Sequence, residues 1–512
     1  MLAFLALLAL GSALFLSLVL RRGGRKILYI PGAASPADRM PGPWALPGLG
    51  NLLDLGRRDL PEHLTRLARR YGDIYRLRSG NTDIVVLNSI EVIREALLKK
   101  WSDFAGRPHS YTAECISFGG KDLSLGDYSP LWRAQRRLVH GALQRCRATN
   151  LESVVTREAR QLSQELSRYA GRAVDLSSDF SMCSCNIICT LAFGTRFEKE
   201  DSEFVGIHAC LNEIVALWGS PLINALDSFP LLRKLPNPAF SRLLRAVSRR
   251  DEIVSNHIQQ HKDRAGYDGE ADITDVLLQS LSQPAGVKES QERVTEQHIH
   301  MSIVDLFIGG TETTAAWLCW AIAFLLHRPE VQEQVYSELC DVLGSQRYPL
   351  YSDRDRLPFL TATINEVLRL RPVAPLAVPH RATRDSSIAG YFIPKDTVVI
   401  PNLYAAHHHP RKWTDPHSFR PEFKNAGSLC ANRRNTSVQL ARGKDEVERT
   451  PLLHLTGFLQ PLRHRCIRLP RPPALPSQPQ PRHSFSISEL GGWATPMAGF
   501  TRPQHIAMET EA

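Results

Sequence analysis

Three things are missing from this chain of 512 residues. No segment repeats, which sets aside stacked-repeat architectures. There is no groove-reading motif and no basic helix, so the formal net charge of +10 does not point to nucleic acid. That excess suits an anionic membrane surface or an acidic protein partner. Nor do two ligand doublets stand at zinc-type spacing. The tightest cysteine group, Cys183, Cys185 and Cys189, lies in the apolar run SMCSCNIICTLAFG and reads as buried free thiols on a helix. What is present is a hydrophobic fraction of 43%, enough for a large core in one big domain or a few smaller ones.

Residues Leu2 to Leu20 carry no charge. At a rise of ~1.5 Å per residue they are long enough to cross a bilayer core. Arg21, Arg22, Arg25 and Lys26 follow, so residues 1–26 are expected to be a single-pass anchor with the body facing the cytosol. A cleaved signal peptide, cut near Gly11-Ser12-Ala13, is the alternative, but its charge would come before the apolar run. Residues 27–58, with Pro41-Gly42-Pro43-Trp44 and Leu46-Pro47-Gly48-Leu49-Gly50-Asn51, are too rich in proline and glycine for helix interior and read as a stiff hinge.

Leu60, Leu64 and Leu67 give an amphipathic helix from Leu60 to Tyr71. Strands are expected at Asp73–Leu77 and Asp83–Asn88, and a helix at Val92–Lys100. From about residue 130 to 345 the pattern is helical, broken at Pro221 and between Pro230 and Pro238. A second β-rich patch covers Ile388–Pro394 and Val398–Pro401. The body, residues 59–422, is therefore mainly α with a small β portion. Residues 423–512, with the proline-rich PRPPALPSQPQP, lack a periodic apolar pattern and are expected to be disordered.

Three constellations carry chemistry. The helix from Val294 to His327 holds Gly309, Gly310, Thr311, Glu312, Thr313 and Thr314 at its middle. Such poor helix formers suggest freed backbone groups facing a pocket, with a buried acid beside hydroxyls able to relay protons. A helix–helix close-packing point explains the composition equally well. Glu366 and Arg369 stand three apart on one helix face and can pair. Trp132 and Arg136 stand four apart, so an indole N–H and a cation could together hold a carboxylate; a basic helix face is the plainer alternative. His407-His408-His409 reads as a solvated loop rather than a metal site.

Taken together, these residues resemble the cytochrome P-450 family. The prolines after the anchor, Trp132 with Arg136, the Gly310-to-Thr314 segment and the Glu366/Arg369 pair stand in that family's order. The stretches Trp101–Pro108, Asp122–Tyr128, Ile308–Ala315 and Glu366–Val373 are similar to its vertebrate steroid 21-hydroxylase branch. The resemblance implies a helical prism with a small sheet, anchored on the cytosolic face of the endoplasmic reticulum membrane and in contact with membrane lipid. It implies haem b as cofactor, NADPH-cytochrome P-450 reductase as partner, and a steroid substrate hydroxylated at carbon 21. Trp132, Arg136 and His380 would bind the haem propionates. Glu312 and Thr313 would deliver protons during oxygen activation. Glu366 and Arg369 would pair structurally, Gly309 and Gly310 would face the substrate, and Arg242 would contact the steroid 3-keto oxygen.

One part of the family pattern is absent. The iron ligand is a cysteine in a loop of the form Phe, two residues, Gly, one, Arg, one, Cys, one, Gly. It should fall near Gly443, where no cysteine stands. Cys430 has Phe423 in place but Ser428 and Asn432 where Arg and Gly belong. Cys466 has Leu459, Leu462 and His464 at the key positions and Arg468 after it. No metal ligand is identifiable, and the likeness ends at Glu422. An altered reading frame or splice junction there would leave a chain that binds haem weakly or not at all.

Overall fold

The computed structural model describes residues 40–421, apart from 47–48, 81, 150, 171, 173, 265–270, 283–292 and 345–346. The expected anchor and the tail after Glu422 lie outside the described residues. Among the described residues no single helix is long and apolar enough to cross a membrane.

Two short helices, α1 (Leu52–Leu55) and α2 (Leu60–Tyr71), precede the hairpin of β1 (Ile74–Ser79) and β2 (Thr82–Leu87). The α2 face predicted to be apolar does pack, with Leu60 and Leu64 buried. Next come α3 (Ile90–Arg94), continued by a π turn over Glu95–Lys99, then α4 (Tyr111–Ile116), α5 (Pro130–Thr149), α6 (Leu151–Arg168), α7 (Ser177–Phe193) and α8 (Ser202–Trp218). The helical run breaks at Pro221 as expected: α8 ends at Trp218, and Pro221 opens α9 (Pro221–Ser228), where the first turn needs no N–H from it. A 3-10 turn at Pro230–Lys234 leads to α10 (Pro238–Asp263), whose Phe240 N–H is capped by the Asn237 side chain at 3.0 Å. The central region follows: α11 (Ile273–Ser282), α12 (Glu296–Gly310), α13 (Glu312–His327), α14 (Pro329–Leu343) and α15 (Pro358–Leu370). The chain closes with β3 (His380–Arg381), β4 (Ser386–Ile388), β5 (Tyr391–Ile393), β6 (Val398–Pro401) and α16 (Leu403–His407).

The larger sheet has the order β1-β2-β6-β3. Its β2–β6 pair is parallel, from Ile84 opposite Val398 to Leu87 opposite Pro401, so residues far apart in sequence share one ladder. β4 and β5 form a separate hairpin. The main core packs α5 to α8 against α10 to α15, with Trp317 of α13 wholly buried in it. Cys183, Cys185 and Cys189 are buried free thiols on α7, as their apolar setting predicted.

Two expectations change. The end of the predicted hinge lies along β1: Arg76 N–H donates to Pro41 O at 2.8 Å, and Asn51 N–H donates to Arg78 O at 2.5 Å. Gly42 is required there, since a Cβ would stand 2.1 Å from Arg76 O. The histidine run is not a solvated loop. His407 and His408 are buried, with the Tyr404 ring stacked 4.1 Å from His408 and Arg369 Nη1 donating to His407 O at 3.1 Å. Burial holds both rings neutral, pushing His407 down to about 4 and His408 to about 3, so they pack as aromatics.

Candidate active site

The long central helix is broken at Thr311, where φ is −87° and ψ −71°, separating α12 from α13. Both readings of its glycines hold, one at each. A Cβ on Gly310 would meet Ile188 Cδ1 of α7 at 2.4 Å, so Gly310 is a close-packing point. A Cβ on Gly309 would meet nothing within 4 Å, and Gly309 is exposed although it lies mid-helix. It faces open space. Thr313 Oγ1 back-bonds to Gly309 O, which ties its hydroxyl to the edge of that space. Glu312 turns toward α7 and α8: Ser181 Oγ donates to its Oε1 at 3.2 Å, and His208 Nε2 lies 3.7 Å away. His208 in turn meets Asn212 Nδ2 at 3.1 Å. A buried acid is thereby joined to a half-buried histidine, a geometry through which a proton can pass.

The Arg136 guanidinium lies over the Trp132 ring at 5.3 Å, as their spacing on α5 predicts. The Trp132 indole N–H, however, donates to Leu123 O at 3.1 Å. His380 Nδ1 meets Phe104 O at 2.7 Å, and burial beside Arg107 pushes His380 down to about 3. The ring is therefore neutral at pH 7, with Nδ1 as donor and Nε2 as acceptor. Sequence reasoning passed over Arg107 and Arg381, which staple this flank. Arg107 Nη1 donates to Val378 O and Pro379 O at 3.3 and 3.1 Å, and Arg381 bridges Asp127 and Asp396 at 2.5 and 2.6 Å. The arginines themselves, in Gly106-Arg107-Pro108 and His380-Arg381, were the available signal.

Glu366 and Arg369 form a bidentate pair, Nε and Nη2 each 2.8 Å from a carboxylate oxygen. It is buried rather than superficial. Nη1 also donates to Pro416 O at 2.7 Å, and Glu366 Oε1 accepts Arg420 N–H at 3.1 Å. The pair thus organises the chain that leaves α16.

A cavity of about 770 Å³ opens between the segment from Arg107 to Leu125, α9 and the large sheet. Trp218, Leu376 and Val378 supply apolar wall. Asp227, also on the wall, is spent on Thr112 N–H at 3.0 Å and Thr112 Oγ1 at 2.7 Å. A large, mostly apolar space suits an apolar ligand. Arg242 is not among its lining residues; it is exposed and paired with Glu213 at 2.7 Å.

The open face at Gly309 and the cations Arg107 and Arg136 near the sheet and α5 fit a planar group with acidic arms. A haem would also need a thiolate donor, and the eight described cysteines all lie before α15. Cys430 and Cys466 are outside the described residues.

Comparison with known proteins agrees with this arrangement. The cytochrome P450 family profile matches residues 40–429, running a little past Glu422 and ending before Cys430. The steroid 21-hydroxylase of Homo sapiens is 43% identical over 454 residues, which cover 86% of this chain and 88% of that one. That of Felis catus is 44% identical over 427 residues, covering 81% and 85%. A solved zebrafish cytochrome P450 with progesterone superposes with a TM-score of 0.67 at 33% identity, covering 78% of this chain and 92% of that one. By sequence and by fold this chain belongs to the cytochrome P450 family, whose members are haem-dependent monooxygenases.

Proposed function

We propose that the chain is a steroid 21-hydroxylase, inserting one oxygen atom of O₂ at carbon 21 of progesterone or 17-hydroxyprogesterone. It would work at the endoplasmic reticulum membrane, its body in the cytosol and its electrons drawn from NADPH-cytochrome P-450 reductase. The observation that carries the reading is identity above 40% to steroid 21-hydroxylases along more than four fifths of the chain. The apolar cavity supports it, being large enough for a steroid.

When bound, haem supplies the iron at which dioxygen is reduced and cleaved. The chain's own residues do the rest. Gly309 leaves open space, and Thr313 presents its hydroxyl there. Glu312 would serve as the acid of the relay, next to Thr313 in sequence and within reach of Ser181 and His208. Trp132, Arg136 and His380 would receive the propionates. Because His380 Nε2 is an acceptor in the neutral ring, this role requires that a carboxylate arm raise His380 and put a proton on that nitrogen. Arg242 would have to leave Glu213 to reach a steroid ketone. The test is incubation of the full chain with progesterone, NADPH and reductase, with mass-spectrometric identification of the product. A hydroxyl at carbon 21 is expected; a hydroxyl elsewhere on the steroid overturns the assignment.

A second reading is favoured by one observation, the end of the family match before either remaining cysteine. On that reading the chain is a haem-deficient isoform that keeps its membrane attachment and partial pocket. A reduced, carbon monoxide-difference spectrum of the full chain separates the two. The band of thiolate-ligated haem would exclude the isoform reading, and its absence in folded protein would establish it.

A further inference from the structure

The loop before α5 carries Asp122, which is 2% exposed, and an acid on α12, Asp305, faces it. The Ser124 hydroxyl lies between them, 2.8 Å from Asp122 Oδ2 and 2.8 Å from Asp305 Oδ1. A hydroxyl has one hydrogen and can donate to one of these oxygens only. The other contact is a hydrogen bond only if that carboxyl carries a proton. The remaining bonds are compatible with one proton on either carboxyl. Asp305 Oδ2 accepts Leu123 N–H at 2.6 Å, and Asp122 Oδ2 accepts Leu125 N–H at 2.8 Å. With the proton on Asp305, a chain from Asp305 Oδ1–H to Ser124 Oγ–H to Asp122 Oδ2 uses every hydrogen once.

We propose that Asp122, Ser124 and Asp305 share one proton, and that this proton latches loop 122–126 onto the central helix. Two features hang from the loop. Leu125 forms part of the cavity wall, and Leu123 O holds the Trp132 indole. Asp122 and Asp305 are therefore positioning residues for the cavity and for the flank where Trp132 and Arg136 stand. Loss of the proton sets the buried Asp122 carboxylate and the half-buried Asp305 carboxylate against each other across one hydroxyl, and the loop is released.

The surroundings offer no counter-charge. On the same loop, Lys121 reaches Gln297. From α5, neutral Gln135 donates to Lys121 O, His298 O and Ser302 Oγ, and Arg136 faces Trp132. On α12 itself, His298 bonds to Thr295 and His300 to Asp251. From α10, Arg250 pairs with Asp251 and donates to Ile116 O. Burial and the Asp122 charge accordingly push Asp305 up to about 7, which agrees with the hydrogen count.

The inference rests on this geometry alone and survives if the steroid reading fails. It is tested on the full chain by amide hydrogen exchange at Leu123 and Leu125 and by infrared spectroscopy of the carboxyl groups. In the wild type, protection corrected for intrinsic exchange should drop about tenfold as pH rises through about 7. A protonated-carboxyl band should fade over the same range. Asp305→Asn, which keeps a donor and an acceptor, should remain protected at all pH values and lack the band. Asp305→Ala should be unprotected throughout. Asp122→Asn, which removes the second carboxylate, should also abolish the pH dependence and serves if either Asp305 variant does not fold. Protection that ignores pH in the wild type, or a band unchanged in Asp305→Asn, overturns the proposal.

Discussion

At the end of α15 a buried acid, Glu366, meets a buried base, Arg369. On the loop before α5 a buried acid, Asp122, meets a second acid, Asp305. In the first cluster two charges cancel, and three backbone carbonyls and an amide satisfy what is left. In the second, no base is present and one proton must do what Arg369 does. The second cluster therefore responds to pH in the neutral range, since Asp305 is raised to about 7. A fixed ion pair suits a place that has to hold the returning chain in one position. A shared proton suits a loop that borders a cavity.

The largest expected effect comes from breaking the fixed pair. Arg369→Ala or Glu366→Ala leaves one buried charge uncompensated and should cost about 3–5 kcal/mol, measured by chemical denaturation. A double substitution to apolar residues of similar volume should cost far less. If the double variant is as unstable as either single one, the pair does more than neutralise itself.

Acid should attack the Glu366/Arg369 end first, through its histidines rather than its ion pair. His407 and His408 have folded values below the ordinary ~6.5 of the unfolded chain, lowered by burial and by Arg369. Their contribution is complete above that unfolded value and is lost as pH falls toward about 4 and about 3. Asp305 has the opposite sign. Its folded value is raised above ~3.9, so its contribution is present below that pH and is lost as pH rises through about 7. Hydrogen exchange followed by mass spectrometry should show α16 opening on the acid side and loop 122–126 on the alkaline side. The reverse order would dissolve the comparison.

The same contrast of filled and open recurs within α12. Gly310→Ala forces its Cβ into Ile188 and should lower stability by about 1–3 kcal/mol. Gly309→Ala meets nothing and gains helix propensity, so thermal stability should hold or rise by up to ~1 kcal/mol while ligand binding weakens. The smallest effect belongs to an exposed pair. Arg242→Ala removes a surface bond to Glu213 and should change stability by less than ~1 kcal/mol. A larger change there would show that Arg242 has a second role.

Much of the frame was legible from residue patterns. Leu60, Leu64 and Leu67 marked α2 to the residue, and Gly309 to Thr313 marked the break in the central helix. The spacing of Glu366 and Arg369 announced a pair, but not its burial, because the carbonyls that enclose it come from His407 at the end of α16 and from Pro416 and Ser418 in the loop after it, which has no period of its own. The histidine run misled for the same reason: polar letters implied solvent, while Tyr404 and Arg369 made a niche for neutral rings. The acid cluster left one trace. Asp305 stands in an otherwise apolar stretch, Ile303-Val304-Asp305-Leu306-Phe307, and a lone carboxyl in such a stretch needs a partner. Its partner lies on a loop 183 residues away in sequence, which no local pattern could supply.

The parallel pairing of β2 with β6 bears on synthesis. Leu87 pairs with Pro401, so about 310 residues must be added before the strand beside the first hairpin exists. At ~5–20 residues per second that is roughly 15–60 s. Throughout that interval β2 presents a row of unpaired amides and carbonyls on a hydrophobic ribbon, an invitation to wrong partners. The register Ile84–Val398 to Leu87–Pro401 is thus set last, by a strand that emerges long after the edge it must cover.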